Sequence, residues 1–107
     1  MSATPADRGH LAPASDAPAV GERTDVLHAG RGAVIEHILS SAAVEPVDYD
    51  QDHDEWVVLL EGAAILDVEG EAVTLAPGDW LLLRAHVRHR VTATAAGTRW
   101  LAVHLPT

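Results

Sequence analysis

The chain has 107 residues, with sixteen Asp and Glu against seven Arg and no Lys, for a formal charge of −9. A length of this order holds one domain, and the acidic field repels nucleic acid, whose phosphates need Lys and Arg. The absence of cysteine removes disulfides, thiolate nucleophiles and zinc-thiolate sites from consideration.

Residues 1–22 are Ala, Pro, Ser, Asp and Gly with almost no large apolar side chain. Such a segment buries too little surface to offset its ordering entropy, so a flexible N-terminal tail is expected there, with a single domain over residues 23–107. The segment also lacks the apolar stretch of roughly 7–15 residues that a secretory signal carries. No run approaches the about 20 apolar residues that span a bilayer. The expectation is a cytoplasmic protein without a membrane partner.

From Thr24 onward, short β-branched and Leu-rich runs alternate with Gly, Pro and Asp punctuation, the texture of a β sandwich or barrel. The predicted strands, in order, are 24–28, 33–39, 56–60, 63–68, 72–75, 80–83, 89–94 and 99–104. Turns fall at Glu61-Gly62, Glu69-Gly70-Glu71, Pro77-Gly78-Asp79 and Ala96-Gly97-Thr98. The run Trp56-Val57-Val58-Leu59-Leu60 is apolar on both faces, so it needs cover from the interior and from a second layer or partner subunit. Phe is absent, so the core falls to Val, Leu, Ile and Ala. A core that thin favours self-association, and a homodimer is expected.

Side chains two apart on an extended chain share a face, which aligns Tyr49, Gln51, His53 and Glu55 with Val57 and Leu59. His89 opens a later strand whose alternate residues, Val91 and Ala93, are small and apolar, so it too is expected to face inward. Pairing of those two strands would set His89 opposite Glu55. His53, Glu55 and His89 make a two-imidazole, one-carboxylate set suited to a divalent metal such as Fe, Mn, Ni or Zn, with Gln51 as a fourth donor. The bland alternatives are that Glu55 and His89 form a buried hydrogen-bonded pair and that His53 points into solvent from its acidic stretch. Tyr49 at the mouth and His104 on the last strand are candidate pocket residues. Arg84 and Arg88 are candidate anchors for a small anion, or else a solvated edge.

Glu55 followed after six residues by Gly62, and the later stretch from Gly78 to His89, resemble the two motifs of the cupin family over roughly residues 45–105. The resemblance implies an all-β fold, the double-stranded β-helix or jelly-roll barrel. It also marks departures: the two histidines of the family's first motif fall on Tyr49 and Gln51, the proline and glycine of the second on Arg84 and His86, and its asparagine on Ala93. Two functions follow as expectations. One is a metal-dependent oxygenase, isomerase or decarboxylase acting on a small anionic molecule. The other is a metal-free, non-catalytic barrel that binds a small molecule; a structural dimer with a vestigial pocket is a third reading.

Overall fold

The computed structural model of the chain describes residues 6–106. Of the expected tail, residues 1–5 lie outside the described residues. Ala14–Asp16 form one 3-10 turn, whose Ala14 lies against Gly97.

Among the described residues, eight strands follow in chain order: β1 (Glu22–Gly30), β2 (Ala33–Ser40), β3 (Glu55–Glu61), β4 (Ala64–Val68), β5 (Glu71–Leu75), β6 (Trp80–Leu83), β7 (His89–Thr94) and β8 (Thr98–His104). They make two antiparallel sheets, β1-β2-β8-β3-β6 and β5-β4-β7, which face each other as a jelly-roll barrel. Each predicted strand is present, with the largest extension in β1, which begins at Glu22 rather than Thr24.

Alternation along each strand builds the lumen. The paired rows Ile38–Trp100–Leu59 and Glu36–Ala102–Val57 run across the large sheet with their side chains inward. Val57, Leu59, Leu66, Leu75, Leu83, Trp100 and Ala102 are buried there as one cluster. The opposite row, Trp56, Val58, Trp80 and Leu82, faces out.

The β3–β4 turn shows why glycine stands at position 62. Gly62 has φ +95°, and a Cβ there would sit 2.8 Å from Thr98 Cα. Only glycine adopts that dihedral cheaply and admits the neighbouring backbone. Across the barrel, His86 holds φ +64° at the place where the family motif has glycine. Its Nδ1 lies 2.8 Å from Asp50 Oδ1, and that contact fixes the ring.

Among the described residues, no helix is long and apolar enough to cross a membrane.

Candidate functional site

The barrel encloses a cavity of about 350 Å³ lined by residues of both sheets and of the loop before β3. Glu55, Glu36, Ile38, Val57, Trp100 and His104 come from the large sheet, with Glu22 and Thr24 from its β1 edge. Leu66 and His89 come from the small sheet, and Tyr49 and Gln51 from the loop.

Glu55 and His89 do meet, but not as neighbours on one sheet. β3 pairs with β6 and β8, whereas β7 pairs with β4. The two residues face each other across the lumen, His89 Nε2 lying 3.9 Å from Glu55 Oε1. That separation exceeds hydrogen-bond reach, so the expected hydrogen-bonded pair is not formed. His89 is 8% exposed, and its Nδ1 sits 3.0 Å from the carbonyl oxygen of Val87. A carbonyl only accepts, so Nδ1 carries a hydrogen and Nε2 is turned toward Glu55.

Tyr49 is joined to the strand carrying His89. Its N–H donates to His89 O at 2.8 Å, and His89 N–H donates to Tyr49 O at 3.1 Å. The phenol ring stacks on the imidazole with centroids 5.4 Å apart. Burial pushes the Tyr49 hydroxyl pKa up, and the charges of Glu22, Glu55 and Glu36 push it further the same way.

The even alternation expected through residues 49–55 breaks before β3 begins. The chain from Tyr49 to Asp54 is loop, held by His86 N–H donating to Gln51 O at 2.6 Å and Ala85 N–H donating to Asp54 Oδ1 at 2.8 Å. Tyr49 and Gln51 nevertheless line the lumen with Glu55 and Val57, as expected, while His53 does not. Gln51 Oε1 is shut off from solvent with no hydrogen-bond partner among the described residues.

His53 swings away from the lumen. Its Nε2 lies 2.9 Å from His104 Nδ1, its Nδ1 3.1 Å from Asp52 Oδ1, and His104 Nε2 lies 2.8 Å from Glu36 Oε1. The chain Asp52–His53–His104–Glu36 runs from the surface to the lumen wall, beside a mouth cleft of about 490 Å³. The hydrogen bond from His53 holds the Asp52 carboxyl below its usual range.

Arg84 and Arg88 do not reach the lumen. Arg84 is exposed. Arg88, its side chain 79% exposed, lies 3.9 Å from Asp50 along an outer cleft of about 560 Å³. Arg90 pairs with Asp48 at 2.9 Å, so the basic cluster is opposed by acids of the preceding loop.

The metal set expected from the sequence is not assembled. Transition ions of the facial-triad type need three strong donors on one side of a cavity. His53 is committed to His104, Tyr49 stacks where the family motif has a histidine, and among the described residues no group of three His, Cys, Asp or Glu could hold an ion. Glu55 and His89 with one carboxamide do not fit that requirement.

Sequence reasoning missed Glu22 and Glu36. Both were findable by parity: Glu36 shares its strand face with Ile38, and Glu22 faces Ser40 across the β1–β2 pair. Trp100 Nε1–H donates to Ser40 Oγ at 3.0 Å, and Ser40 Oγ–H donates to Glu22 Oε2 at 2.6 Å, a two-step chain that fixes the Glu22 carboxylate at the wall.

The cupin-domain family profile matches residues 34–104, and the chain belongs to that family. Among solved structures, it is similar to a candidate mannose-6-phosphate isomerase from Ralstonia eutropha JMP134, at 38% identity over 94% of this chain and all of that one, with a TM-score of 0.77. It also resembles ectoine synthase from P. lautus, at 25% identity over 87% of this chain and 70% of that one, TM-score 0.72. A cupin superfamily protein from Desulfitobacterium hafniense DCB-2 shares the fold at 18% identity over both full chains, TM-score 0.75. Among curated proteins no match was found.

Proposed function

We propose that this cupin binds a small molecule in its lumen and does so without a resident metal. The observation that carries the reading is the placement of donors around the cavity: Glu55 and His89 face one another at 3.9 Å, while the third strong ligand, His53, is hydrogen-bonded to His104. A pocket with a few convergent polar groups in an apolar wall is the ordinary form of a small-molecule site. The test is elemental mass spectrometry of untagged protein beside Glu55→Ala and His89→Ala. The expected result is metal far below one ion per chain in all three, with no rise in melting temperature on adding Mn(II), Ni(II), Fe(II) or Zn(II). Near-stoichiometric metal that disappears in both variants would overturn the reading.

A second reading, a proton-transferring isomerase, is favoured by the open Glu55–His89 geometry and by the name of the Ralstonia relative. Its discriminating observation is turnover of an aldose into a ketose that vanishes in His89→Ala. The outward row Trp56, Val58, Trp80 and Leu82 supports a homodimer: Trp80 is 60% exposed, and its ring lies 6.4 Å from that of Trp56. Apolar surface of this kind is normally covered by a partner.

A further inference from the structure

The lumen carries a charge bias that its own imidazoles cannot cancel. Glu22, Glu36 and Glu55 line it, and among the described residues no Arg does. The lining groups able to become positive are His89 and His104. Three carboxylates against at most two imidazolium charges leave the wall net negative in every protonation state of those rings.

A separate feature gives this bias a direction. His89 Nε2 is aimed at Glu55 across a gap too wide for a hydrogen bond, and its ring is more than nine-tenths buried. With Nδ1 donating to Val87, the neutral ring offers Nε2 only as an acceptor. Glu55 is an acceptor on both oxygens, and Gln51 Oε1 is a buried acceptor with no donor. The cavity lining thus presents acceptors on three side chains, Glu55, His89 and Gln51, which a group bringing N–H donors and positive charge would satisfy together. A carboxylate or phosphate would set charge against like charge at Glu22, Glu36 and Glu55. An ammonium brings three N–H donors and the compensating charge.

We infer that the lumen selects a small organic cation, a primary amine whose ammonium donates to His89 Nε2, Glu55 and Gln51. This inference rests on the ligand-binding reading above and replaces the anionic ligand expected from the sequence.

The experiment is calorimetric titration of the full chain at neutral pH and moderate salt with three probes of equal length: putrescine, the four-carbon diol and succinate. The expected result is saturable putrescine binding at about one equivalent, with a Kd of about 1 mM or tighter, and no binding of the other two. Glu55→Gln and Glu36→Gln should each weaken putrescine by about tenfold. Glu45→Gln, which removes the same charge from an exposed position, should leave it unchanged. Binding of the diol or of succinate in preference to putrescine would overturn the cationic class while leaving the pocket intact as a ligand site. Putrescine binding lost equally in Glu45→Gln, or no binding of putrescine at all, would also overturn it. Should Glu55→Gln fail to fold, Glu36→Gln and the comparison of probes on the unaltered chain decide.

Discussion

His37 is the clearest case of a side chain whose chemistry is set by where the chain puts it. It is 1% exposed on the outward face of β2, and among the described residues neither ring nitrogen has a hydrogen-bond partner. Burial pushes its pKa down, and the charge of Arg99 adds to the effect. The folded ring therefore takes up its proton at lower pH than the unfolded one, whose pKa is about 6.5. The unfolded state binds more protons in that window, so stability is full above about pH 6.5 and falls as acidification proceeds toward the depressed folded pKa. Thermal melts across this range should show the fall, and His37→Leu should flatten it while raising stability at neutral pH by about 1 kcal/mol, since an unsatisfied imidazole gives way to an apolar side chain of similar size. A less stable leucine variant would mean that the ring has a partner. The sequence alone does not disclose this: alternation tells which face a residue takes, not whether its nitrogens are satisfied.

The elements themselves were legible. Punctuation by Gly, Pro and Asp delimited all eight strands, because turns demand backbone conformations that few residues adopt. Their pairing was not legible: Glu55 and His89 were read as neighbours in one sheet, whereas they belong to opposite sheets. Contact across a lumen leaves no periodic trace in either strand. The loop Tyr49–Asp54 misled for a related reason. Its residues alternate as a strand would, but its backbone groups bond to His86, His89 and Leu105 instead of to a continuous ladder, and His53 leaves the face that parity assigns to it. At the β3–β4 turn, Gly62→Ala should cost about 1–3 kcal/mol for the backbone conformation alone, with more for the approach to Thr98. Denaturant unfolding measures this, and a variant as stable as the parent would refute the role given to the turn.

At the scale of the whole molecule two surfaces compete for explanation. The outer face of β3 and β6 is apolar and uncovered. The homodimer proposed above predicts a dimeric parent in sedimentation velocity and a folded monomer for Trp80→Glu. A dimer that persists would place the interface elsewhere. The remaining surface is strongly acidic, so any amine will gather near it to some degree, and that weak association must be separated from binding inside the barrel. Charge at this scale was evident from composition, but the concentration of three carboxylates inside the lumen was not, since Glu22 and Glu36 sit in strands otherwise read for their apolar residues.

The most direct test is nitrogen-15 NMR of the chain titrated with putrescine. Binding in the lumen predicts the largest shifts at the indole N–H of Trp100, which is hydrogen-bonded to Ser40 and through it to Glu22, and at the backbone amides of Gln51, Glu55 and His89. Shifts confined to the outer cleft around Asp48, Asp50, Asp67 and Glu69, with Trp100 unmoved, would contradict the account and leave only attraction to an acidic surface.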